Sequence, residues 1–304
     1  MTRLAPRTVL LLTLPPLLWA GNAVVGRLMV GSVPPLTLNF LRWLLAALLL
    51  LPLGWRVLRT PGQLRGRWPY LLLTGTLGVG MYNALQYLAL VSSTPINVTL
   101  IASSMPVWML AVGAVFYREH PGPRQLLGAL LSLTGVVFVI ARGDPHALLQ
   151  VRFVRGDLYV IVAIIAWAFY SWLLARPPRS LSGERRPQWH WAEALLLQVL
   201  FGLLGAAAAA GLEQAAGTHA VRWHNPWTLA ALLYVAVGPA LVAYRCWGLG
   251  VSTAGPALAA FFSNLTPLFA ALMSAAVLGE PPRWYHGVAF VLIVAGIAVS
   301  GRRG

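Results

Sequence analysis

Residues 34–54 read PPLTLNFLRWLLAALLLLPLG, two prolines at the start, a proline and a glycine near the end, and a single charge, Arg42, between them. A helix rises 1.5 Å per residue and the hydrocarbon core of a bilayer is about 30 Å thick, so a stretch of about 20 apolar residues predicts a spanning helix. Lipid offers backbone groups no hydrogen-bond partner, which leaves a helix as the conformation such a segment can adopt. Outward from this stretch the same pattern recurs along the chain. Spans are expected at 8–28, 34–54, 68–90, 95–116, 124–141, 156–176, 190–212, 226–248, 254–278 and 283–301, each ended by Arg, Pro or Gly. The prediction is an all-α membrane protein of ten transmembrane helices with no room for a soluble domain.

Composition points the same way. Of 304 residues 59% are hydrophobic and 10% charged, and the mean hydropathy is +0.73, far from the charge content of a soluble domain. The net charge of +15 does not imply nucleic acid as a partner, because the 22 basic residues are all Arg and sit singly or in small groups between apolar runs. Cys246 is the one cysteine, so no intramolecular disulfide forms.

The arginines between spans give the orientation. With the N-terminus inside, the inner segments collect Arg3, Arg7, Arg56, Arg59, Arg65, Arg67, Arg118, Arg124, Arg176, Arg179, Arg185, Arg186, Arg245, Arg302 and Arg303. The outer segments hold Arg27, Arg142, Arg152, Arg155, Arg222 and Arg283. This positive-inside bias places both termini in the cytoplasm. The first apolar run also has the look of a signal peptide, with Arg3 and Arg7 before it and Gly21 and Ala23 near its end. It continues through Val24, Val25, Leu28 and Met29, however, and its removal would invert the arginine pattern. An uncleaved helix is expected.

An internal repeat is expected as well. An offset of 161 pairs Pro95 with Pro256, Pro106 with Pro267 and Glu119 with Glu280, and each set is followed by a Gly-containing helix (Gly128 and Gly135; Gly287 and Gly296). Trp19-Ala20 and Trp167-Ala168 extend the correspondence to the first and sixth spans. Five helices per half is an odd number, so the halves, 1–145 and 146–304, would lie in opposite orientations, as in many secondary transporters.

Residues 34–42 (PPLTLNFLR), 82–90 (YNALQYLAL) and Leu278-Gly279-Glu280 resemble the second helix, third helix and post-ninth-helix turn of EamA-type members of the drug/metabolite transporter superfamily. The resemblance covers essentially the whole chain. It departs at Tyr117-Arg118-Glu119-His120, where such proteins usually carry a Leu-Gly-Glu-Arg-like turn. It implies a ten-helix permease of the bacterial inner membrane that moves small metabolites such as amino acids, commonly outward, by alternating access. The solute is not named by kinship of fold. A channel or an integral-membrane enzyme is the alternative, and a homodimer is left open by the apolar lipid-facing surfaces.

Polar residues at membrane depth are costly and point to candidate sites. Pro106 and Pro267 each lack an N–H and free the carbonyl four residues earlier, at Ala102 and Ser263, beside the equivalent Ser103 and Asn264. These two polar residues either line a solute cavity or bond a neighbouring helix. Tyr82, Asn83 and Gln86 lie three and four apart and share one helical face. Trp19 with Asn22 and Trp167 with Tyr170 place an indole and a polar group one turn apart in both halves, suited to a ring or a zwitterion, although interfacial belts use the same residues. Trp55, Trp68, Trp189 and Trp284, near span ends, read as belt residues. Arg42 costs on the order of 3 kcal/mol at mid-span unless paired or hydrated. It either binds a solute carboxylate bidentately or is structural, bonding helix-end carbonyls or reaching a water-filled vestibule, and the family resemblance, in which an Arg holds this motif position regardless of solute, favours the second.

Of seven acidic residues, only Glu193 falls plausibly inside a span. It and His190 are the proton-coupling candidates, both read as interfacial, so exchange or facilitated transport is favoured over proton antiport. The chain has no Lys, no Gly-rich phosphate loop, no His/Cys metal spacing and no Gly-x-Ser-x-Gly elbow, so neither a cofactor, a metal nor enzymatic activity is expected.

Overall fold

The computed structural model describes residues 5–301 apart from positions 30, 94, 145, 150, 218–220, 222, 224, 225 and 279–282. The Gly279-Glu280 turn and Arg3, Arg222, Arg302 and Arg303 lie outside the described residues. In chain order the helices are α1 (Pro6–Leu28), α2 (Pro35–Gly54), α3 (Trp68–Thr74), α4 (Tyr82–Ser92), α5 (Pro95–Ala102), α6 (Met105–Tyr117), α7 (Pro123–Ile140) and α8 (His146–Leu149). They continue with α9 (Arg155–Ala175), α10 (Trp191–Ala215), α11 (Pro226–Val235), α12 (Ala243–Ala254), α13 (Pro256–Ser263), α14 (Leu265–Leu278) and α15 (Trp284–Ser300). A π-helical stretch, Gly75–Met81, joins α3 to α4, and another, Ala236–Val242, joins α11 to α12. No strand occurs among the described residues.

Among the described residues eight helical stretches are long and apolar enough to cross a membrane, from Pro6–Gly26 to Pro256–Met273, and α15 is a shorter apolar helix. The chain is thus a multi-pass membrane protein. The expected third span forms helix throughout 68–92 but is not among the eight. Its middle carries Thr74, Thr76, Asn83 and Gln86 beside Gly75, Gly78 and Gly80, which dilute its apolar character. The outer surface is apolar, with Leu10, Val91, Val115, Phe116, Leu204 and Leu212 all more than 60% exposed, as lipid contact requires.

Prolines open several of these helices, at the first turn of α2, α3, α6, α7 and α13, where a missing N–H costs nothing. Pro106 and Pro267 do more. The helix breaks after Ala102 and resumes at Met105, and it breaks again after Ser263 and resumes at Leu265. The 161-residue spacing recurs in these elements: α5 and α13 start and end 161 apart, the two π stretches do the same, and α7 and α15 start 161 apart. The first π stretch holds Gly75, Gly78 and Gly80, and the second holds Gly238 and Pro239; such turns are rare and recur at functional sites.

Helices pack in pairs through small residues. α2 lies along α10, α4 along α9, α7 along α15, and α1 against α12 and α14. In the α7–α15 contact a Cβ on Gly128 would stand 2.7 Å from the Gly296 carbonyl oxygen, and a Cβ on Gly296 would stand 2.7 Å from that of Gly128. Gly135 faces the Ala289 carbonyl in the same way, at 2.9 Å. With no solvent to drive helices together in lipid, such backbone proximity supplies the packing energy. Replacing Gly296 by Val forces two backbones apart and is expected to cost about 1–3 kcal/mol. The purified Gly296→Val protein should unfold at a lower temperature in detergent than wild type, whereas Gly287→Val, on the same helix with open space around it, should not; equal melting of all three would contradict this packing.

Candidate functional site

For reference, the end of the bundle at which α1 starts is called proximal and the end at which it finishes distal. A cavity of about 540 Å³ lies inside the distal half, between α1, α4, α5, α6, α13 and α14. Its size falls within the range of small-molecule sites, about 300–1,000 Å³. Trp19, Asn22, Tyr82, Asn83, Gln86 and Ser103 all line it, as do Pro267 and Ser263 beside the second helix break. The α4 residues reach it because their three- and four-residue spacing puts them on one face. The breaks at Pro106 and Pro267 bring non-helical backbone to the wall, where a cavity rather than lipid meets it.

Other expected residues are placed differently. Trp167 is fully buried below the cavity floor, its ring stacked on Tyr82 at 4.4 Å and edge-on to Trp19 at 5.3 Å. Tyr170 is buried beside it and donates its hydroxyl to Gln198 Oε1 at 3.2 Å. With Tyr244 and Trp247 these rings form one aromatic cluster. Asn264 does not line the cavity. It is 1% exposed and its Nδ2 donates to Ser132 Oγ on α7 at 2.8 Å, so of the two roles open for it the structure gives helix packing. Ser103 lines the cavity but turns its hydroxyl onto the Leu100 carbonyl at 2.6 Å. Pro106 opens α6 and does not itself reach the lining.

Arg42 is fully buried one layer behind the wall. Its NH1 donates to Asn83 Oδ1 at 2.8 Å, Tyr87 hydroxyl at 3.3 Å and Asn22 Oδ1 at 3.5 Å, and its guanidinium lies 5.1 Å from the Trp43 ring centroid. The three acceptors all line the cavity. The contacts are side chains and not helix-end carbonyls, drawn from α1 and α4 because those helices cross α2 at Arg42's level.

Several contributors lay outside the sequence-based site. Tyr87 stands four residues after Asn83, which puts it on the same face, and it donates to Asn22 Oδ1 at 3.0 Å. Tyr244 stands 161 residues after Asn83 and accepts a hydrogen bond from its Nδ2 at 3.2 Å. The repeat offset could have found it. Two acidic residues are buried despite lying at helix ends. Asp157 accepts from Ser93, Asn97 and the Val154 N–H, and Glu213 accepts from the Leu36 and Thr37 N–H groups and the Thr37 hydroxyl. Both satisfy helix N-termini and neither reaches the cavity lining. His190 and Glu193 form the start of α10, the His190 N–H donating to the Glu193 carboxylate at 2.7 Å.

The proximal end is filled. Trp172 stacks on Tyr117 at 4.7 Å and donates its indole N–H to the Met109 carbonyl at 2.9 Å, Leu12 packs into the space above Gly250, and Arg176 pairs with Glu119. The cavity and these contacts together describe a membrane protein holding a compartment lined by apolar, aromatic and amide side chains in its distal half, with packed side chains toward the proximal end.

The EamA-like transporter family model matches residues 6–141 and 154–302, and the chain belongs to this family of the drug/metabolite transporter superfamily. Among similar proteins is an uncharacterized transporter of Archaeoglobus fulgidus, 28% identical over 97% of both chains. The aromatic amino acid exporter YddG of Ancylobacter novellus is 24% identical over 93% of both chains. A probable amino-acid metabolite efflux pump of Salmonella typhimurium is 25% identical over 93% of this chain and 90% of its own. A solved crystal structure, 24% identical over 96% of each chain, superposes with a TM-score of 0.74 and shares the fold.

The Asn264–Ser132 bond yields a stability test. Interhelical bonds of this kind are worth on average about 0.6 kcal/mol in membranes. Asn264→Leu and Ser132→Ala should each lower the melting temperature, and the double variant should lose less than the sum of the two; strict additivity would show that the pair does not interact.

Proposed function

We propose that the chain is a secondary transporter that exports small metabolites such as amino acids across the bacterial inner membrane by alternating access. The observation that carries this is the 540 Å³ cavity, walled by the breaks at both repeat-related prolines and by Trp19, Asn22, Tyr82, Asn83 and Gln86. Two relatives, an aromatic amino acid exporter and a probable amino-acid metabolite efflux pump, support the solute class and the direction. The 161-residue recurrence of breaks and π stretches supports two five-helix halves, 1–145 and 146–304, inserted in opposite senses. With both termini cytoplasmic, as the arginine distribution favours, the filled proximal end is the inner gate and the cavity belongs to an outward-facing state.

In that cycle Trp19 and Tyr82 offer a ring surface, and Gln86, beside the Tyr82 hydroxyl, offers an amide to the polar part of the solute. Exchange of roles between the halves would open the aromatic cluster of Trp167, Tyr170, Tyr244 and Trp247 to the cytoplasm. The described lining contains neither carboxylate nor histidine, which favours exchange or facilitated movement over proton antiport through cavity groups.

The test is an untargeted comparison of small molecules in the medium of cells producing wild type or Gln86→Leu. A metabolite that accumulates outside with wild type and falls at least tenfold with the variant, at equal membrane insertion, is the expected result. Equal accumulation from both proteins would remove Gln86 and its face of α4 from the site.

A further inference from the structure

We propose that the cavity selects solutes bearing a carboxylate, and that Arg42 sets this selection as a positioning residue acting through Asn22 and Asn83. The inference rests on the transport reading above and gives the site its charge requirement. A guanidinium does not give up its proton in a protein, so Arg42 carries a full positive charge at 0% exposure within a membrane span. Among the described residues no carboxylate lies within salt-bridge distance of it. The two buried carboxylates are committed elsewhere, Glu213 to the start of α2 and Asp157 to the start of α9.

The guanidinium is also only partly satisfied. NH1 has three acceptors, while Nε and NH2 have no hydrogen-bond partner among the described residues. In a low-dielectric interior such a group is costly until an anion comes near. NH1 is the edge of the guanidinium turned toward the cavity, because all three of its acceptors line it.

Hydrogen-bond polarity turns that charge into a donor surface. Asn22 Oδ1 accepts from both Arg42 and Tyr87, which assigns the oxygen to the inner side and presents the Asn22 amide N–H groups as donors with no acceptor among the described residues. Asn83 Oδ1 is likewise held by Arg42, and its Nδ2 is turned to Tyr244. A carboxylate against Asn22 would accept from a polarised amide and lie close to the buried charge. A primary carboxamide of the same shape would bring an N–H donor to a donor and no charge. A cation would meet Arg42 with no acidic residue in the described lining to offset it.

Counterflow in vesicles holding the purified wild-type chain tests this with matched pairs: L-phenylalanine, L-leucine and L-threonine against their carboxamides. The expected result is that at least one acid is exchanged and that its carboxamide is exchanged at least tenfold more slowly. Carboxamides moving as fast as the acids would overturn the carboxylate requirement while leaving transport standing. Where no probe moves but the medium comparison still shows export, the same vesicles are given the exported metabolite, and one that moves without bearing a carboxylate would overturn the proposal while leaving transport standing; failure of both experiments would remove the transport reading itself.

Asn22→Asp gives the second arm. It places a fixed carboxylate beside Arg42, so the fold keeps a partner for the charge while the solute loses its own. Acid exchange should drop at least tenfold and the ratio of carboxamide to acid should rise. A ratio unchanged from wild type would show Arg42 to be structural only.

Discussion

Backbone hydrogen bonding in a medium without water is the constraint on which the structure depends. Departures from α-helical geometry leave carbonyls that lipid cannot satisfy, and in both π stretches a side chain from another helix meets one or more of them. Tyr244 donates its hydroxyl to the Gly78 carbonyl in the first π stretch, Asn39 donates to the Val79 carbonyl, and Trp19 donates to the Pro239 carbonyl in the second. Tyr234 donates to the Leu18 carbonyl on α1. The polar aromatic residues of the interior thus hold irregular backbone in place, and the cavity exists because the breaks at Ala102 and Ser263 are turned toward one another instead of outward.

Much of this was legible in the sequence, and the reasons are physical. Apolar length is a property of a single segment, so the helices could be read one at a time. Proline acts locally on the carbonyl four residues before it, so both breaks could be placed to within a residue or two. The polar face of α4 followed from helical periodicity. What the sequence did not carry was which neighbour each polar residue meets. Ser103 and Asn264 occupy equivalent positions, yet one lies at the cavity and the other bonds Ser132, because α7 presents a hydroxyl where α15, at the corresponding place, packs with apolar atoms. Asp157 and Glu213 lie near span ends, and nothing in their spacing showed that they fold back onto helix N-termini and become buried.

The π stretches are a third case. Three glycines in seven residues permit close packing, and Gly75 approaches the Gly202 N–H and the Gln198 carbonyl, with 2.7 and 2.5 Å left for a Cβ. The wider turn itself is a collective feature of seven residues and their partners, and no single residue type announces it.

Trp19 holds two duties in one side chain, facing the cavity with its ring while its indole N–H secures the Pro239 carbonyl on the far side. A ring has no independent joint between those two edges. Anything that tilts it from the cavity side must lengthen or break the bond behind it and slacken the turn that α12 hangs from, and a change in that turn must in the same way reshape the cavity wall. Occupancy and backbone geometry are therefore tied through a rigid lever rather than through a chain of small adjustments.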